Sequence, residues 1–183
     1  MLSSRSSSLR RCTVWAGTNG MTENTTGWLL ETAIGWERQA ADYYSSLASA
    51  FSGEPGVSNF WLRMSADEDS HAESLEEIRA AVSAARLEES ISRDERAMVG
   101  AGDALFVRMS SARVETLDDA YEMAHELEGS EINSVFRVIT LGIADDPAVR
   151  EALLRQADVH VERLTEFGRL FDRAHRMAIE AGS

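Results

Sequence analysis

Four stretches of the chain place apolar residues at alternating steps of three and four, the rhythm of a helix that buries one face in a bundle. The first runs through Leu30, Ala33, Glu37, Ala40, Tyr44, Leu47 and Phe51. It predicts a helix from Thr26 to Phe51, capped by Thr25 or Thr26 and ended by Ser52-Gly53-Glu54-Pro55-Gly56. The second runs through Val57, Trp61, Met64, Glu68, His71, Leu75, Ile78 and Val82, and predicts a helix from Val57 to about Arg86. The third, Leu117, Tyr121, Ala124, Glu128, Glu131, Val135 and Val138, predicts a helix from Thr116 to Leu141. The fourth, Val149, Leu153, Ala157, His160, Leu164, Phe167, Phe171 and Ala174, predicts a helix from Pro147 to about Ala178, with proline at its first position.

The connections fix an order for these helices. The five-residue turn at Ser52 makes the first two an antiparallel hairpin, and the turn at Gly142 and Asp145-Asp146-Pro147 does the same for the last two. Residues 87 to 115 are too long for a tight turn and suit a crossover along the length of a bundle. Within them, Gly100-Ala101-Gly102 is expected to break any continuous helix and to leave a short one from Asp103 to Met109. The halves are related. Aligning His71 on His160 matches Asp69 with Asp158, Glu73 with Glu162 and Leu75 with Leu164, and aligning Glu37 on Glu128 matches Ala33 with Ala124. The prediction is an all-α four-helix bundle made of two hairpins with a long crossover between helices two and three.

Each seam is interrupted by polar residues near its middle. In a four-helix bundle of this order, Glu37, Glu68, His71, Glu128, Glu131 and His160 converge at one level on the axis. Isolated buried carboxylates cost many kcal/mol unless they are neutralised or coordinated. Four glutamates and two neutral imidazoles carry four negative charges, which two divalent cations balance. A carboxylate-rich set with histidine and no thiolate suits iron or manganese. One such residue in one seam is more often a hydrogen-bonded core group; six at matching levels point to metal. His125 is read as surface, and Glu73 and Glu162 as solvated faces. Asp69 and Asp158 are either partners of the imidazoles or exposed. Tyr44, Trp61, Tyr121 and Phe167 lie about two turns to one side of the polar level, as core packing or as a path for electrons.

Composition narrows the function. The 183 residues carry 18 basic groups, all arginine, against 31 acids, a net charge of -13. That acidity argues against nucleic-acid binding and suits a protein that attracts cations. No apolar run approaches the length needed to span a membrane. The single cysteine, Cys12, excludes an internal disulfide and a thiolate-rich metal site. Residues 1 to 20 hold Arg5, Arg10 and Arg11, five serines and no acid. Residues 1 to 23 read as a disordered or mis-called tail ahead of a bundle over residues 24 to 180, with Met21 an alternative start. Cytoplasmic location is expected, with organellar targeting by this tail as the alternative.

These residues resemble the ferritin-like superfamily, and specifically the rubrerythrin diiron domain, over residues 24 to 180. The resemblance rests on Glu37 with Tyr44 seven residues later, on Glu68-x-x-His71, on Glu128-x-x-Glu131 and on His160. It implies two iron ions held by Glu37, Glu68, His71, Glu128, Glu131 and His160, which would also be the catalytic residues. It implies a non-haem oxidoreductase that reduces hydrogen peroxide or activates dioxygen with ferrous iron. It also implies an external electron-donor protein, since the four cysteines of a rubredoxin-type domain are missing, and a homodimer. The alternatives are an iron-oxidising storage protein and a metal-poor bundle acting as a sensor or interaction module. The sequence departs from the family pattern at Ala157, where a bridging glutamate is expected three residues before His160. Either Glu131 substitutes as the bridge or the second metal position is weak or empty.

Overall fold

The computed structural model describes residues 23–143, 147–148, 150–151, 154–155, 159 and 162–169; for 131–134 it describes the backbone alone. The described chain is helical apart from short connections and one isolated bridge between Thr25 and Ser90. None of its helices is long and apolar enough to cross a membrane. It forms two compact units, one ending at Ser111 and the other beginning at Ala112.

In the first unit, α1 spans Thr26–Ala50, α2 Pro55–Ala81, α3 Ala84–Leu87 and α4 Arg93–Ser111. The Thr25 side chain caps α1 by accepting from the Trp28 amide, one of the two predicted caps. Pro55 opens α2 two residues earlier than predicted, because proline loses nothing at a position whose amide has no intrahelical partner. Antiparallel pairing of α1 and α2 is visible in their cross-links. Ser58 Oγ donates to the Ala48 carbonyl and Ser65 Oγ to the Ala41 carbonyl, both at 2.9 Å. Further along, Arg38 pairs with Glu76 at 2.6 Å and Arg79 with Glu31 at 2.7 Å.

Sixteen of the 25 residues of α1 are buried against eight of the 27 in α2, so α1 is the central strut of this unit. Its apolar contribution includes Leu29, Leu30, Ala33, Trp36, Tyr44 and Leu47, which meet Trp61, Met64, Ala72 and Leu75 in the core. Burying each large side chain of this kind contributes about 1.5–3 kcal/mol.

Three further predictions differ from the structure. The second helix stops at Ala81 rather than near Arg86, because Val82 turns extended and Ser83 caps a separate short helix. The Gly100-Ala101-Gly102 segment does not break a helix, since α4 runs through it for 19 residues. At Gly102 the missing side chain is what lets the helix seat, because a Cβ there would lie 2.6 Å from Trp36 Cη2. Close packing thus outweighs the modest helix propensity of glycine.

The third correction falls in the second unit. There α5 spans Leu117–Glu128 and α6 Glu131–Gly142, where the sequence predicts one helix. Thr116 and Asp119 form a reciprocal capping box at the start of α5. Gly129 ends that helix, its amide donating to the His125 and Leu127 carbonyls, and the Ser130 hydroxyl donates to the Leu127 carbonyl at 2.6 Å. A weak helix former followed by a hydroxyl that captures a nearby carbonyl interrupts the ladder. The buried faces are Leu117, Ala120, Ala124 and Leu127 on α5, and Val135, Phe136 and Ile139 on α6. Residues 162–169 are helical too, with Leu164 buried. Gly168 lies against Tyr121, whose hydroxyl would be 2.5 Å from a Cβ at that position. Pro147, Ala148, Arg150, Glu151, Leu154, Arg155 and Val159 are helical as well; the other positions of the predicted fourth helix, including Ala157 and His160, and residues 1–22 lie outside the described residues.

Candidate metal centre

The hairpin of the first unit carries three polar side chains into its apolar interior. Glu37 comes from the middle of α1, where its neighbours along the seam are Ala33, Ala40, Ala41 and Tyr44, all buried. Glu68 and His71 come from α2, three residues apart on an unbroken helix, which puts them on one face a turn from each other. Met64 and Leu75 close the seam on either side. The three residues are 5%, 4% and 4% exposed, well inside the range where an unpartnered charge is costly.

Their polar atoms converge. His71 Nδ1 lies 3.1 Å from Glu68 Oε2 and 3.5 Å from Glu37 Oε2. One ligand atom from each residue falls within 4.8 Å of the others, and among the described residues this is the one His/Cys/Asp/Glu group compact enough to hold a metal ion. Two carboxylate oxygens and an imidazole nitrogen, with no sulfur, form a donor set that suits iron or manganese.

Electrostatics carry the same message. Burial is the largest influence on Glu37 and pushes its carboxyl up to about 8, with the neighbouring Glu68 charge adding to the rise and His71 opposing it. For His71, burial opposes the imidazolium, but hydrogen bonds to Glu37 and Glu68 outweigh it and lift the ring to about 10. Without a cation the cluster therefore keeps protons at neutral pH, which is how it tolerates its burial. A divalent ion held there would compete with those protons for the same atoms.

The sequence matches a family model of the rubrerythrins over residues 29–140, which contains nearly all of α1, the whole of α2 and both halves of the Glu128/Glu131 pair. The chain belongs to the rubrerythrin family. It is an all-α protein of the ferritin-like class, and the Glu37/Glu68/His71 cluster stands at the positions that the rubrerythrin resemblance assigns to metal. No curated protein and no solved structure matches the chain.

The other predicted ligands differ in what is known of them. Glu128, the last residue of α5, is buried, 7% exposed. Glu131 opens α6, and its side chain lies outside the described residues, as does His160. The predicted surface residues His125, Glu73 and Glu162 are exposed, and so is Asp69. Tyr44 and Trp61 stack with ring centroids 5.8 Å apart and planes 8° apart, both fully buried. They stand seven residues from Glu37 and Glu68 respectively, about 10 Å along each helix towards the hairpin turn.

Sequence reading missed Trp36 and its partners on α4. Trp36 is 2% exposed, its Nε1 donates to Asp103 Oδ1 at 3.0 Å, and its ring stacks on Phe106 at 6.4 Å. The available signal was Gly102, set among Val99, Leu105, Phe106 and Met109 at helical spacing; it marks a close approach.

Proposed function

We propose that this protein is a non-haem iron oxidoreductase that reduces hydrogen peroxide or activates dioxygen. The observation that carries the reading is the buried cluster of Glu37, Glu68 and His71, in a chain of the rubrerythrin family. Glu128, Glu131 and His160 enter as further ligands from the sequence pattern alone. Two ions are expected, the second held weakly because Ala157 lacks a carboxylate, and manganese is the competing metal.

Within the cluster each residue has a distinct task. Glu37 and Glu68 supply the negative charge that a divalent cation needs, one from each helix, so that metal also ties α1 to α2. His71 supplies a nitrogen donor, Nδ1, the ring atom that faces the oxygens of both carboxylates. The apolar walls of Met64, Leu75, Ala40 and Tyr44 keep bulk water out, which strengthens every charge interaction inside. Ferrous iron, when bound, supplies the electrons that cleave an O–O bond. A separate electron-donor protein and a homodimeric assembly complete this reading.

The reading is tested on protein purified without added metal. Iron should be retained by the parent and lost from Glu68→Ala and His71→Ala, with helical content preserved, and peroxide consumption should follow the iron. Unchanged metal content in both variants would show that the cluster is not the metal site.

A further inference from the structure

We propose that Trp36 is a positioning residue: held by Gly102 and Asp103 of α4, it sets the rotation of α1 that presents Glu37 to Glu68 and His71. The inference rests on the reading of that cluster as a metal centre. Trp36 and Glu37 are consecutive, so their side chains leave α1 about 100° apart. One meets α4 and the other meets His71 of α2. Any turn of α1 about its axis moves both together.

The contact on Trp36 is more specific than apolar packing requires. Three neighbours in one turn of α4 fix a single indole. Asp103 accepts its N–H at 3.0 Å, Phe106 stacks on its face, and the Gly102 backbone lies under its edge. A Cβ at Gly102 would sit 2.6 Å from Cη2 and 2.7 Å from Cζ2, about 1 Å short of the 3.5–4.0 Å contact optimum. The ring is buried and hydrogen-bonded, so it cannot swing aside cheaply. The strain passes to the helix that carries it, and a shift of that size is enough to spoil a ligand set. Gly100, two residues earlier on α4, supplies an internal control, because a Cβ there meets nothing within 4 Å.

The test titrates the full chain with Co²⁺ alone, following the visible absorption that reports its coordination geometry. Gly100→Ala should bind as the parent does. Gly102→Ala and Asp103→Ala should bind at least about tenfold more weakly, with an altered spectrum. Asp103→Asn, which keeps an acceptor oxygen, should restore both. Should Gly102→Ala not fold, the Asp103→Ala and Asp103→Asn pair decides. A structural clamp alone would lower the melting temperature while leaving affinity and spectrum at parental values, and that result overturns the proposal. A parent that binds no Co²⁺ overturns the metal-centre reading, and this inference with it.

Discussion

The α1–α2 hairpin and the α5–α6 segment begin from similar sequence patterns and end in different local structures. In α2, Glu68 and His71 stand three apart on 27 unbroken residues, and the ladder holds their side chains 3.1 Å from each other. In the second unit, Glu128 and Glu131 are also three apart, but the first ends α5 and the second begins α6, with Gly129 and Ser130 between them. Spacing in sequence becomes spacing in space only where the backbone hydrogen bonds continue through it. A continuous helix fixes its ligands, whereas a break allows each carboxylate to be placed independently. The same half of the chain carries alanine at position 157, the counterpart of Glu68. Under the proposed function, both differences predict that the first hairpin holds metal more tightly than the second half does.

The largest expected effect compares the two histidines. His71→Ala should abolish tight metal retention, while His160→Ala should leave at least part of it, measured as metal per chain after dialysis. Equal loss from both variants would mean that the halves contribute alike.

Restoring the missing carboxylate should sharpen the contrast. Ala157→Glu should raise metal loading towards two ions per chain. Without metal the added charge, at a position that the sequence pattern assigns to the core, should destabilise the fold by several kcal/mol, and with ferrous iron or manganese most of that penalty should vanish, since binding to the native state stabilises it. Melting of parent and variant, with and without metal, checks this. A variant with no metal-dependent gain over the parent would place residue 157 away from the centre.

Acidity tests the first hairpin alone. In the metal-free protein, the Glu37 carboxyl is raised from its model-peptide value of 4.5 to about 8, so the native state holds more protons than the unfolded state between those limits. His71, raised from 6.5 to about 10, does the same in its own window. Stability from these groups is therefore greatest at the acid end and falls as pH rises, first through the Glu37 window and then through that of His71. Glu37→Gln should flatten the lower part of this fall in melting experiments. Metal uptake should run the other way, improving with pH because cations and protons compete for the same atoms.

The smallest effect is expected at the break. Gly129 has φ -84° and ψ 1°, which alanine can adopt, but a Cβ there would lie 3.2 Å from the His125 carbonyl oxygen. The gain in helix propensity and the tight contact oppose each other, so Gly129→Ala should change stability by less than about 1 kcal/mol. A large gain in stability and helicity would indicate that α5 and α6 fuse readily.

How much of this was legible in the sequence depended on which force decided each element. The ends of α1 were readable because Thr25 and the Ser52–Gly56 turn act locally. Glu37, Glu68 and His71 were readable because a polar residue in an apolar seam is visible without knowing its neighbours. The course of α4 was not, because Gly102 is favourable only once Trp36, 66 positions earlier in the chain, is in place. The break at Gly129 was missed because the seam on either side keeps its period through it. Pattern reports burial, and a one-residue competition for a carbonyl leaves the pattern intact.

The bridge between Thr25 and Ser90 has a consequence for how the first unit folds. The Thr26 amide donates to the Glu89 carbonyl at 2.8 Å, and the Ile91 amide donates to the Asn24 carbonyl at 2.9 Å. These bonds join segments on either side of α1, α2 and α3, so the chain returns to its own starting point before α4 begins. Closing a loop of this size costs roughly 4 kcal/mol of chain entropy if nothing else has formed. Two backbone bonds cannot offset that alone, so the clasp should close after the hairpin has shortened the loop. In native-state hydrogen exchange, the Thr26 and Ile91 amides should then open before the core amides of α1, which makes this junction the seam along which the unit first comes apart.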